Sequence, residues 1–284
     1  MNSNRIATVL SIALAILLAG PISSSGAQKF GMIFDLKGNV SIKKESGSIK
    51  QLDRAKDILS SLRDGDTITV GPGGKVLIVS SADNTGYELL AGSSAVIKNG
   101  AIEKVSGTMN QLKGYKPSSA GGASGPIGAI VLRSTTDENS CINTLSPRAS
   151  NILYFSPELR WDNKCGTKTV TLKVFQDRNI VYETASKESS VKLRDGLLKS
   201  GVHYRWIVEA GQQGHSGGSF SMLDQKASKS ILQMQSDTIR ADSMPERLTY
   251  IFTLRESNLN DMADAEIAKL VSEFPDNENF KALK

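Results

Sequence analysis

Histidine and cysteine are almost missing from this sequence, which holds two of each in 284 residues. His203, His215, Cys141 and Cys165 are too few and too scattered for a structural zinc site, which needs such residues at short fixed spacings. No metal is expected, and no cofactor of any other kind. The cysteines also lack the C-x-x-C spacing of a redox pair. Aromatic residues form only 6% of the chain, and Trp161, Tyr204 and Trp206 read as core rather than as a sugar-stacking platform. Charge of one sign is missing too. Against 34 basic residues stand 29 acidic ones, a balance too mild to argue for nucleic acid or a membrane surface. Beyond Ala27 no apolar run is long enough to cross a bilayer.

What is present begins at the N-terminus. Arg5 supplies a positive charge, Ile6 to Leu18 is nearly unbroken apolar sequence, and Pro21 ends it. Ser25-Gly26-Ala27 then places small residues where signal peptidase reads them, before Gln28. The apolar run is shorter than the roughly 20 residues of a spanning helix, so a cleaved signal (residues 1–27) is favoured over a retained anchor. No cysteine follows Ala27, so no lipid attachment is indicated. The mature chain is expected to be soluble, and periplasmic or secreted. In that setting Cys141 and Cys165 should form one structural disulfide, adding about 3 kcal/mol by constraining the unfolded chain.

Four regions follow. Residues 28–114 carry short strand signals, at Val40/Ile42, Ile68/Val70, Val76 to Val79, Tyr87/Leu89, Val96-Ile97 and Ile102/Val105. Turns punctuate them at Asp64-Gly65-Asp66, Gly71-Pro72-Gly73-Gly74, Asp83 to Gly86 and Asn99-Gly100, which together predict a small all-β unit. Residues 115–128, Tyr-Lys-Pro-Ser-Ser-Ala-Gly-Gly-Ala-Ser-Gly-Pro-Ile-Gly, have no core-forming content and read as a flexible linker. Residues 129–223 alternate again. Val170, Leu172 and Val174 share one face, as do Val202, Tyr204, Trp206 and Val208, with Leu159, Trp161 and Phe220 inward, a β-sandwich pattern. From Asp224 the period turns helical, and the tail (224–284) is weakly acidic, which reads as a solvated face. A helix is plausible over Ala227 to Ile239. Ser243-x-x-Glu246 predicts a capping box, and Asn260 a second cap, ahead of an Ala263, Ile267, Leu270, Val271, Phe274 stripe ending at Pro275.

Three resemblances sit on these residues. Gly38-x-Val40-x-Ile42 and Leu62-x-x-Gly65-Asp66-x-Ile68-x-Val70-Gly71-x-Gly73-Gly74-Lys75-Val76, with Tyr87-x-Leu89 and Ser93 to Ile97, resemble the FecR-type periplasmic domain. That family's usual Asp-Gly appears here as the looser Asp83-Asn84-Thr85-Gly86. The resemblance implies a β-rich, non-catalytic module of envelope signalling and assembly. Signalling members carry an anti-sigma segment ahead of a membrane helix. This chain shows none, so sigma-factor control is not implied. Leu198-x-x-Gly201-x-x-Tyr204-x-Trp206-x-Val208 resembles the tyrosine-corner strand of fibronectin type III domains, with Trp161 where that family places its core tryptophan. The last helix pair, closing on Phe274-Pro275-Asp276-Asn277, is similar to a single tetratricopeptide hairpin. One hairpin is not an array, so it should pack on the sandwich or dock on another protein.

One catalytic motif matches. Gly214-His215-Ser216-Gly217-Gly218 fits G-x-S-x-G, but no histidine follows Ser216 to act as base, and the stretch reads as the hairpin between two final strands. Gly71 to Lys75 lacks the hydroxyl residue and the helix of a phosphate loop and reads as a hairpin turn. Asp64 and Asp66 read as turn residues ahead of a weak Ca²⁺ site. The expectation is therefore a mainly β, non-enzymatic envelope protein that binds other proteins through sheet edges or a helical groove. A glycan-binding module is the alternative, and a serine hydrolase using Ser216 the remoter one.

Overall fold

A computed structural model describes residues 29–112, 141–155 and 157–283. The expected signal peptide (1–27) with its cleavage point, and the expected linker (115–128), lie outside the described residues. The chain is mainly β, with four sheets followed by helices at the C-terminal end.

The first unit contains β1 (Lys29–Lys37), β2 (Val40–Lys43), β3 (Ile49–Gln51), α1 (Arg54–Asp57), β4 (Ser61–Arg63), β5 (Thr67–Val70), β6 (Lys75–Ser80), β7 (Gly86–Leu90), β8 (Ser94–Lys98), β9 (Ala101–Ser106) and β10 (Met109–Leu112). They form two antiparallel five-stranded sheets, ordered β10-β7-β6-β1-β4 and β3-β2-β5-β8-β9. Strand β1, which precedes the first strand signal read at Val40, is an interior strand of its sheet, between β6 and β4. Phe30, Ile33, Phe34 and Leu36 are all buried, and Val76 to Ser80 of β6 are buried without interruption. Strands covered on both faces lose the period-two alternation that makes a strand legible.

The Gly71–Gly74 turn, read from the sequence as a hairpin turn, is not one. It carries the chain from β5 in one sheet to β6 in the other. The β1–β2 turn at Gly38-Asn39 makes the same crossing, and the two corners pack backbone to backbone. Gly71 N donates to Asn39 O at 2.7 Å. A Cβ on Gly38 would lie 2.9 Å from Gly73 O, and one on Gly74 2.7 Å from Asn39 O. Glycine is needed because two main chains touch.

The second unit contains β11 (Ile142–Ser146), β12 (Ala149–Ile152), β13 (Glu158–Asn163), β14 (Val170–Gln176), β15 (Asn179–Ser186), β16 (Ser190–Lys192), β17 (His203–Glu209) and β18 (His215–Met222). Its sheets run β11-β13-β16 and β12-β18-β17-β14-β15, with β12 parallel to β18 and the other pairs antiparallel. The alternating positions enclose Leu159, Trp161, Val170, Leu172, Val174, Tyr204, Trp206, Val208 and Phe220, as their spacing predicts. Cys141 and Cys165 form the expected disulfide. It staples the ends of neighbouring strands β11 and β13, where Lys164 N also donates to Cys141 O at 2.7 Å.

Helices α2 (Gln225–Ala241), α3 (Met244–Glu256), α4 (Asn260–Glu273) and α5 (Glu278–Lys281) complete the chain. The two expected caps are not formed by the expected atoms. Ser243 occupies the N-cap of α3, yet its Oγ is buried without a hydrogen-bond partner. Leu259 is the N-cap of α4, and Asn260 Oδ1 instead accepts from Arg255 Nη1 at 3.3 Å. Nor is the tail a free appendage. Met244, Leu248, Ile251, Ile267, Leu270 and Phe280 belong to the core of the first unit. Tyr250, Leu254, Leu259 and Ala263 form a further cluster with Ile231 of α2, flanked by Leu153 and Leu223 of the second unit. Polar contacts reinforce both sides. Asn151 N donates to Asn258 O at 2.7 Å, and Asn279 Nδ2 donates to Ile58 O at 3.0 Å. Among the described residues no helix is long and apolar enough to cross a membrane.

Candidate functional site

Helix α3 is apolar on most of its circumference because it lies between two cores. Leu248 and Ile251 face the first unit, and Tyr250 and Leu254 face α2. Burial pushes the Tyr250 phenol well above its usual pKa, so it stays neutral. At its C-terminal half α3 stands away from the sheet and leaves a groove of about 240 Å³. Met32 and Phe34 of β1, Val79 of β6 and Phe252 of α3 form the apolar walls. The rings of Phe34 and Phe252 are 6.0 Å apart, so the strand and helix meet at the groove's side.

The rim is polar and built from two elements. Ser80, Ser81 and Asn84 come from the end of β6 and the turn after it; Thr249, Arg255 and Glu256 come from α3. Arg255 is already engaged. Its Nη2 lies 2.6 Å from Asp264 Oδ1 and 3.1 Å from Leu283 O. Glu256 is exposed and has no ion-pair partner among the described residues. Asp83 stands beside Asn84 in the same exposed turn, and hydrogen bonds from Thr85 and Ser80 hold its carboxyl below the ordinary carboxylate pKa.

The residues singled out by motif are placed elsewhere and do different work. Ser216 is fully buried on β18, its Oγ 2.7 Å from Thr144 Oγ1 and accepting from Thr144 N at 3.0 Å. It is the second residue of β18, paired with Val208 of β17, with no strand-to-helix turn to present it. The expected hairpin is displaced as well. The turn lies at Ala210–Gly214, and Ser216 to Gly218 pair with Val208 to Trp206. Glycine is required there for close approach, since a Cβ on Gly217 would sit 2.5 Å from Trp206 O. His203 and His215 lie at opposite ends of the β17–β18 ladder and are not brought together.

Lys75 Nζ pairs with Glu88 Oε1 at 2.6 Å, a contact that lowers the pKa of Glu88. Asp66 is buried and accepts from Lys44 Nζ at 2.8 Å and Arg63 N at 2.9 Å, while Asp64 Oδ1 accepts from Gly100 N at 2.9 Å. Both carboxylates thus serve their turns. Among the described residues there is no cluster of three or more His, Cys, Asp or Glu able to hold a metal ion. Trp161, Tyr204 and Trp206 are buried and present no ring face to a sugar.

Sheet edges offer less than the sequence suggests. Terminal strands β3, β4 and β16 are three residues long. The longer β9 and β15 each carry an irregularity in register, near Val105 and Val181. Short or bulged edges resist strand addition. The groove is the better-formed surface. Its residues escape sequence reading because Phe34 and Phe252 look like ordinary core positions; only the unbroken apolar character of β1 and α3 points to a second covered face.

No family model matches this chain, and no curated protein matches it.

Proposed function

We propose that the protein is an exported, non-catalytic component of the cell envelope that binds other proteins, as an accessory or scaffold in signalling or surface assembly. The groove beneath α3 receives an apolar segment of the partner. The observation that carries this reading is the groove's form, four apolar side chains within a ring of polar ones. Its volume of about 240 Å³ falls short of the roughly 300 Å³ at which small-molecule sites begin, and suits inserted side chains. Export draws support from the Cys141–Cys165 disulfide, a bond that persists in oxidising compartments.

The same proposal assigns a FecR-like character to the first unit and a fibronectin type III-like one to the second. The latter is favoured by its strand order and by Trp161 on β13. Tyr204 Oη also accepts from Lys199 N at 2.8 Å, five residues upstream, the bond of a tyrosine corner. The packed pair α3 and α4 supports the tetratricopeptide-like reading of the tail as one hairpin, not an array.

Site-directed photocross-linking tests the function. A benzophenone amino acid at exposed Ser81 should yield a discrete adduct with an envelope protein in living cells. Filling the groove by Thr249→Trp should abolish it. Absence of any adduct, or an adduct indifferent to Thr249→Trp, defeats the proposal.

A further inference from the structure

We infer that the groove selects an apolar side chain that has a basic residue beside it in the partner's sequence. This specificity rests on the reading of the groove as a protein-binding site, and it follows from the charges at the mouth. Two charged residues line the opening, Arg255 and Glu256. Among the described residues Arg255 is the only basic one lining it, and its guanidinium is neutralised by Asp264 at 2.6 Å and held by Leu283 O at 3.1 Å. Glu256 lines the mouth from the α3 side, exposed and without an ion-pair partner among the described residues. Asp83 does not line the groove but precedes the lining residue Asn84 in the exposed turn after β6, where hydrogen bonds from Thr85 and Ser80 hold its carboxyl below the ordinary carboxylate pKa.

An apolar floor with the Glu256 carboxylate at its mouth disfavours an anionic headgroup or a fatty acid. It also repels an acidic peptide. A segment that inserts a Leu- or Phe-sized side chain and carries Lys or Arg next to it satisfies both parts, the floor by burial and the rim by charge. Affinity comes from the apolar anchor. Choice between partners comes from the rim, where like charge is rejected.

Two tetrapeptides serve as probes, acetyl-Ala-Leu-Lys-Ala-amide and acetyl-Ala-Leu-Glu-Ala-amide, titrated at low salt into the full mature chain labelled at methionine methyl groups. Met32 lies in the groove wall, so its methyl resonance, assigned with Met32→Leu, reports occupancy of this site. The lysine peptide should bind about two- to fivefold more tightly than the glutamate peptide, the range an exposed ion pair sustains. Glu256→Lys should invert the preference, and Glu256 is exposed enough for either charge to be tolerated. Equal binding of both peptides, unchanged by Glu256→Lys, overturns the charge rule while leaving the groove itself occupied. No movement of the Met32 methyl with either peptide overturns the anchor as well, and the Ser81 cross-link then decides independently whether a partner uses the groove.

Discussion

Single residues in this chain are placed by contacts their neighbours in sequence do not reveal. Tyr204 is 2% exposed, and its hydroxyl is the acceptor for Lys199 N at 2.8 Å. Tyr204→Phe keeps the ring in the core and strands that amide, so a loss of about 1 kcal/mol is expected in urea unfolding. An unchanged midpoint would show that the bond contributes nothing. This residue was legible, because Tyr and Trp alternating on one strand betray a buried face. Ser216 was legible only as a motif. Its neighbours Gly217 and Gly218 resemble turn residues, yet they are small because Trp206 O and Pro147 O pass directly over them. Sequence carries no trace of a crossing main chain contributed from so far away.

Elements were legible where one face alone is covered, as in β14 and β17. They were obscured where both are, as in β1. Helices α3 and α4 are joined at their outer side by Arg247 and Glu273, a two-bonded pair with Nη2 to Oε1 at 2.7 Å. The hydrogen bond from Arg247 draws the Glu273 carboxyl below its ordinary pKa of 4.5. A lowered carboxylate pKa contributes stability above that ordinary value and loses it as pH falls through the folded one. Glu273 is about half exposed, so Glu273→Gln should cost less than about 1 kcal/mol at pH 7. The gap between variant and wild type should close below pH 4.5. A gap of constant size down to pH 3 would mean that the charge plays no part.

At the scale of the whole molecule, the expectation of modules in series survives only in part. The sheets follow one another as their turn signals indicate, but the tail re-enters the first of them. Six tail side chains, Met244, Leu248, Ile251, Ile267, Leu270 and Phe280, sit in the core of the first unit. At about 1.5–3 kcal/mol each they supply on the order of 10 kcal/mol, as much as a domain's net stability. A chain ending at Leu223 should therefore bind a hydrophobic dye and lack a sharp unfolding transition for its first unit. Native-like NMR dispersion with an unshifted midpoint would contradict this. The periodicity of α4 announced a buried stripe, but the stripe does not state what covers it, and contacts between distant segments leave no local pattern. The groove shares that origin, since its walls come from strands near the start of the chain and a helix near its end.

The re-entry also sets an order of events in time. A ribosome delivers this chain from its N-terminus, so β1 and β6 emerge long before Leu248 or Phe280. The unit that is made first is finished last. Until the final helices arrive, its sheet keeps an uncovered apolar face, so the first-made unit cannot complete its core before the chain's end is available.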